Sequence, residues 1–274
     1  MGSVIEGGVA VVTGAGSGIG RALAQRLAAR GAALALADID GAGLGETAAL
    51  CRQAGARVSE HVLDVADAAA VAALPAAVVA AHGGVTLLVN NAGVALAGTF
   101  AQTSLEDFEW LMAINFWGPV RMCKAFLPEL QRAPQAHIVN LSSLFGLIAP
   151  EGQVAYCASK FGLRGFSESL RHELAGANVG LTVVHPGGVA TNIAARARVP
   201  ASVNSAELAE RAARFSKMLS MPPQEAARII LAAVDRRAPR VLVGADARRG
   251  DVLQRLSPGG YWKPMKKALE RAMK

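Results

Sequence analysis

One stretch near the N-terminus constrains this chain more than any other. An apolar run, residues 8–13, stops at Thr13-Gly-Ala-Gly-Ser-Gly-Ile-Gly20, and a helical pattern begins at once. Glycines at such a junction let the backbone turn sharply. They also let a pyrophosphate approach the helix N-terminus, whose free N–H groups attract anions. A glycine-rich run alone is ordinary turn material, but between a strand and a helix it points to dinucleotide binding. No Gly-Lys-Ser/Thr follows that would make it a P-loop. This reading places Gly14, Ser17, Gly18, Ile19 and Gly20 against a cofactor.

The rest of the chain alternates short β-rich runs with longer helical ones, the pattern of a parallel sheet wrapped by helices. Strands are expected at 8–13, 33–38, 57–63, 85–90, 137–141, 181–184 and 240–243, and helices at 19–30, within 41–55, and at 67–82, 105–130, 154–174, 206–219 and 223–235. Pro75 is expected to bend or break its helix, and Pro119 and Pro128 to disturb theirs. No linker divides the chain. With 52% hydrophobic residues, the expected fold is a single doubly wound α/β domain over 1–274, with a mostly parallel sheet of about seven strands flanked by helices.

The net charge of +7 raises the question of nucleic acid, and its location answers it. Residues 1–235 carry 17 basic and 18 acidic side chains, whereas residues 236–274 carry 11 and 3. The body is close to neutral, so no nucleic-acid partner is expected. Cys51, Cys123 and Cys157 are odd in number and lack C-x-x-C spacing, which favours buried side chains in a reducing compartment and no metal. No membrane span or signal segment is read, and a cytoplasmic location is expected.

Asp38 ends the second strand, 18 residues past Gly20. A carboxylate there accepts hydrogen bonds from ribose hydroxyls and repels a 2′-phosphate. No basic residue occupies positions 15–17, and Ile39 follows Asp38, so NAD is favoured over NADP.

With these motifs in place, the chain resembles the short-chain dehydrogenase/reductase family of NAD(P)-binding Rossmann-fold oxidoreductases, from about residue 8 to residue 192. The glycine run is similar to the family's cofactor loop. Asn90-Asn91-Ala92-Gly93 resembles the segment after strand four, and Asp64-Val65 the pair that approaches the adenine. Pro186-Gly187, Val189 and Thr191 resemble the segment that contacts the nicotinamide carboxamide. Asn115, Ser143, Tyr156 and Lys160 resemble the catalytic tetrad, with Ser143 preferred to Ser142 because it lies 13 residues before the tyrosine.

The chemistry suits these residue types. Tyr156 and Lys160 are four apart on one helix and share a face. A neighbouring ammonium favours a phenolate, so Lys160 is expected to bring the Tyr156 pKa below its usual value of about 10. Ser143 can stabilise charge developing on a substrate oxygen. The resemblance implies that Lys160 also holds the nicotinamide ribose, and that Asn115 holds a helix kink and a water leading to Lys160.

Other residues receive plainer expectations. The histidines have no metal-ligand spacing, and His185 is expected to end strand six. Cys157 is expected in the core. Trp110 and Trp117, seven apart, are expected on one helix face. A substrate lid is expected at about 192–220, with Arg196 and Arg198 as solvated surface residues. The basic tail at about 246–274 is read as a subunit contact or solvated terminus in preference to a membrane-surface helix.

The resemblance implies a homodimer or homotetramer paired through the helices carrying Asn115 and Tyr156. The function expected is hydride transfer between NAD(H) and a secondary alcohol or ketone, a hydrophobic one by the lid's composition. The alternatives are a non-catalytic NAD-binding sensor and a membrane-surface lipid-binding protein.

Overall fold

Strand β1 (Val9–Thr13) is buried at all five positions, the condition of a central strand covered by helices on both faces. The computed structural model describes residues 3–200 and 219–272. In it the sheet has seven strands, all parallel, in the order β3-β2-β1-β4-β5-β6-β7. The others are β2 (Ala33–Asp38), β3 (Val58–Val62), β4 (Leu87–Asn90), β5 (Ala136–Leu141), β6 (Val179–Pro186) and β7 (Arg240–Val243). The expected doubly wound fold is present. β6 is longer than its apolar run of 181–184 and takes in His185 and Pro186.

Alternation along the strands feeds two cores. On one face Ala10 and Val12 meet Leu23 and Leu27 of α1 (Gly18–Ala29), Leu44 of α2 (Gly41–Gln53), and Ile230 and Val234 of α7 (Pro223–Asp235). On the other, Val9 and Val11 meet Val71, Leu74 and Val78 of α3 (Ala68–His82) and Met122, Phe126 and Leu130 of α5 (Gly118–Arg132). Each such buried Leu or Phe contributes about 2 kcal/mol. Because β2 and β4 lie on opposite sides of β1, the loops leaving β1 and β4 diverge and open a crevice at the carboxyl ends of the strands.

The helices answer the proline expectations differently. α3 is capped by Asp67, whose carboxylate accepts from the Ala69 and Ala70 amides, and ends at left-handed Gly83. It carries Pro75 without ending there. The stretch 105–130 is interrupted, but ahead of its prolines: α4 (Leu105–Met112) runs into a π-helical turn (Ala113–Trp117) before α5, while Pro128 stays inside α5. Pro119 sits in the first turn of α5 and has no N–H for the carbonyl four residues back, so the ladder loosens just before it. The wider turn also breaks the seven-residue register of the tryptophans. Trp110 packs near Leu96, Leu111 and Tyr156, and Trp117 lies beside Phe116 and Arg121.

Beyond β7 come α8 (Ala245–Leu256) and α9 (Trp262–Ala272). The start of the tail is folded back onto the protein. The Tyr261 hydroxyl accepts from the Ala149 amide at 2.9 Å, and Lys266 pairs with Glu151 at 2.8 Å. The expected helix at 206–219 lies outside the described residues except for its last position, as does most of the expected lid. No helix among the described residues is long and apolar enough to cross a membrane.

Two histidines are buried within the sheet. Burial pushes His137, bonded to the Thr182 hydroxyl at 2.8 Å, down to about 3, and pushes His185 down to about 4. Both are neutral when folded, whereas an unfolded histidine titrates near 6.5. Their burial is therefore tolerated above about pH 6.5, and stability falls as pH drops from there toward 4 and 3, by at most about 1.4 kcal/mol per pH unit for each. Thermal melts are expected to move down between pH 7 and pH 5, with a shallower slope in His137→Gln. An unchanged slope in that variant would remove His137 from this account.

Candidate active site

The cofactor side of the crevice is built by the exits of β1 and β4. Thr13 Oγ1 accepts from the Asn91 and Ala92 amides at 3.0 and 3.1 Å, while Asn91 Nδ2 donates to the Thr13 and Gly14 carbonyls at 2.9 and 3.0 Å. Gly14 has φ +64, and a Cβ there would lie 2.7 Å from Asn91 Nδ2, so the turn admits only glycine. Gly18, at φ +52, faces Thr191 closely enough that a Cβ would meet its side chain at 3.1 Å. Two expected cofactor positions, one after β1 and one after β6, thus lie side by side.

The first turn of α1 holds no acidic side chain, and Ser17 makes no capping bond, which leaves its N–H groups for an anion. Asp38 Oδ2 accepts from the Gly16 amide at 2.7 Å and Oδ1 from the Asp40 amide at 2.9 Å, fixing the carboxylate at the rim of the glycine loop. This cradle, tight at Gly14 and open at the helix start, fits a dinucleotide.

The remaining expected positions divide. The Leu63 amide bonds the Asp38 carbonyl, which brings Asp64 and Val65 alongside. Asp64 itself accepts from the Ala66 amide, and Val65 is buried against Gly118. Ile19 packs on the first core, and Gly20 lies tight under the Gly14 carbonyl. Pro186 ends β6 beside Val243. Val189 is buried, and its strand bridges Met221.

On the other side, α6 (Val154–Glu173) carries Tyr156 and Lys160. Asn115, in the π-helical turn, is fully buried. Its Oδ1 accepts from the Val94 amide at 2.8 Å, and its Nδ2 donates to the Val94 carbonyl at 2.9 Å. A Cβ on Gly93 would lie 3.2 Å from Asn115 Oδ1 and 3.5 Å from Lys160 Nζ, so all three meet at one point. Of the two serines after β5, Ser142 donates to the Lys160 carbonyl at 2.9 Å, and Ser143, whose Oγ accepts from the Phe145 amide at 3.1 Å, is the one that acts on the Tyr156 phenol.

The electrostatics differ from the expectation. Desolvation pushes the Tyr156 phenol up to about 12, with the Ser143 hydrogen bond pulling the other way. Burial brings Lys160 down to about 8. Lys160 Nζ donates to the Leu141 carbonyl at 3.0 Å and lies 5.6 Å from the Tyr156 ring centre, too far to offset the desolvation.

Three residues of this region escaped the sequence reading. His185 lies within β6 and does not end it, and its Nδ1 donates to the Ser143 carbonyl at 2.9 Å, supporting that serine from behind. Only the β5–β6 register, with Leu141 opposite Val184, brings the two together. Asp246 of α8 accepts from the Gly188 amide at 2.6 Å and fills the space beside Gly187. Arg198 is exposed as expected but also latched: its guanidinium lies 3.8 Å from the Trp110 ring centre and pairs with Asp107 at 3.0 Å, while its backbone bonds Ala95 and Ala97. Arg196 is exposed, 3.7 Å from Asp40. Cys157 is buried and its thiol is pushed up to about 12, in keeping with a packing role.

A glycine-loop cradle facing a Tyr–Lys pair across a switch-point crevice defines a dinucleotide-binding oxidoreductase. The short chain dehydrogenase profile matches residues 8–201. The Mycobacterium tuberculosis protein SadH, named as an oxidoreductase, is 45% identical over 262 residues, 94% of each chain. D-threitol dehydrogenase of Mycolicibacterium smegmatis is 40% identical over 196 residues, 70% of this chain and 74% of its own. A short chain dehydrogenase/reductase from Burkholderia phymatum, solved in complex with NAD, superposes with TM-score 0.85 at 33% identity over 93% of this chain and 95% of its own. The chain belongs to the short-chain dehydrogenase/reductase family.

Replacing Asn115 with Ala removes the partners of the half-buried N–H and C=O of Val94, each such group costing about 1–3 kcal/mol when left unpaired away from water. Urea unfolding of Asn115→Ala is expected to show a loss of roughly 2–4 kcal/mol. A loss below about 0.5 kcal/mol, the size typical of a surface substitution, would mean that Asn115 does not hold the Val94 segment.

Proposed function

We propose that this chain transfers a hydride between NAD(H) and the carbon of a secondary alcohol or ketone, and that the substrate is a hydrophobic one. The convergence of Tyr156, Ser143, Lys160 and Asn115 at the mouth of the crevice that begins at the glycine loop carries this reading. The nicotinamide ring supplies or receives the hydride when bound.

In reduction, the Tyr156 hydroxyl gives its proton to the carbonyl oxygen as negative charge develops there. A phenol held near 12 is fully protonated at neutral pH, so the acid form is always ready. Ser143 donates to the same oxygen, positioned through its backbone by His185. Lys160, still largely charged at pH 7, stabilises the phenolate left behind. Asn115 keeps the Val94 segment and Gly93 under Lys160.

NAD is preferred to NADP on the position of Asp38. Its carboxylate occupies the loop rim, where a 2′-phosphate would meet negative charge. Arg21, the nearest base in sequence to the loop, is engaged by Glu46, Thr47 and the Gly16 carbonyl. The solved relative with bound NAD supports the same choice.

The test is nicotinamide absorbance with a panel of secondary alcohols and ketones, NAD(H) and NADP(H) in parallel. Turnover with NAD(H) is expected, and Tyr156→Phe is expected to lower it by about 10²–10⁴-fold. Turnover only with NADP(H) would overturn the role given to Asp38. No turnover with any member would favour an NAD-binding sensor. Reduction is also expected to stay level through neutral pH and decline above about pH 8, where Lys160 loses its proton. A profile level to pH 10 would separate Lys160 from the proton step.

A further inference from the structure

Helix α8 is inverted for a surface helix. Such helices bury their apolar stripe and expose the polar one. Toward the protein α8 presents Ala247, Gly250 and Asp251, all buried, with Gly250 seated on Leu144 of the loop after Ser143. Outward it presents Val252, Leu253 and Leu256, exposed at 53%, 37% and 80%. At about 100° per residue, Arg249 falls among these side chains and Arg248 at their edge, while Arg255 lies toward Asp251, with which it pairs. Arg248 and Arg249 are exposed, and neither has an acidic partner among the described residues. Of the two acids of this helix, Asp251 points inward to Arg240 and Asp246 accepts from the Gly188 amide.

We propose that this face docks the protein on an anionic bilayer, with Val252, Leu253 and Leu256 entering the headgroup boundary and Arg248 and Arg249 against lipid phosphates. The composition fits: residues 236–274 hold 11 basic and 3 acidic side chains, against a near-neutral remainder. Apolar side chains among cations are what an interfacial helix uses, and both contributions are needed for firm binding. A second copy of the chain fits less well, because a two-fold contact here would bring the same arginines together while Asp246, the acid on this side of the helix, is held by the Gly188 amide. A nucleic acid would engage the arginines but leave three apolar side chains in water. Within the basic tail at about 246–274, expected as a subunit contact or solvated terminus, Tyr261 and Lys266 are turned onto residues 149–151. The outward face of α8 is the surface the structure offers.

The test floats the full chain with vesicles of phosphatidylcholine alone and of phosphatidylcholine with phosphatidylglycerol. The Val252→Gln/Leu256→Gln and Arg248→Gln/Arg249→Gln variants run alongside, with melting curves to check the fold and ultracentrifugation to report mass. Flotation with the anionic vesicles only is expected, weakened roughly tenfold or more in each double variant without a change in melting. Three results overturn the proposal. The chain fails to float with anionic vesicles. The Val252/Leu256 variant floats like the parent, leaving a purely electrostatic surface that duplex DNA would also meet. Or that variant splits a larger species into smaller ones, making the face a subunit contact.

Discussion

The site depends on the fastening between the exits of β1 and β4. Four hydrogen bonds join Thr13 and Gly14 to Asn91 and Ala92 across a boundary where neither strand's ladder can supply them. A switch-point crevice exists because neighbouring strands send their chains in opposite directions. Left alone, it would also strand the first carbonyls and amides beyond the sheet, groups that are costly to bury unpaired. The Asn91 amide meets that need. In doing so it presses against Gly14 so closely that no other residue fits, and the shape of the cofactor cradle follows.

The opposite wall uses the same device. Asn115 spends its amide on the backbone of Val94, a residue 21 positions earlier, and can reach it because the helix widens into a π turn. Gly93 has no side chain, which lets Asn115 and Lys160 close over it. The enclosure has an electrostatic consequence. Lys160 is brought down to about 8, and Tyr156 is pushed up to about 12. Burial here outweighs attraction between the pair, because the ammonium is directed to the Leu141 carbonyl and not to the phenol. The proton-donating side of the chemistry is therefore set by desolvation.

Much of this was legible in the chain. Short β-rich runs alternating with longer helical ones mark a parallel sheet wrapped by helices, while the order of its strands came from the tertiary structure. The glycine loop, Asp38 and the Tyr–Lys spacing are local patterns whose geometry follows from one turn or one helix face. What stayed hidden needed two distant segments. His185 supports Ser143 only through the β5–β6 register, and Asp246 holds Gly188 only because α8 folds back past β7. Arg198 is exposed as its sequence suggested, but no pattern in sequence pairs it with Trp110, 88 positions away. The two tryptophans were misplaced for a related reason: a π turn inserts an extra residue per turn, and periodicity cannot anticipate it.

The sequence by itself determined the fold class, the glycine turn after β1 and the shared helix face of Tyr156 and Lys160, since each depends on contacts within about one turn or one strand–helix unit. Tertiary structure decided the ionisation of those residues, the supports behind them and the outward apolar face of α8. Desolvation and side-chain pairing depend on what lies across space, and a linear pattern does not carry that information.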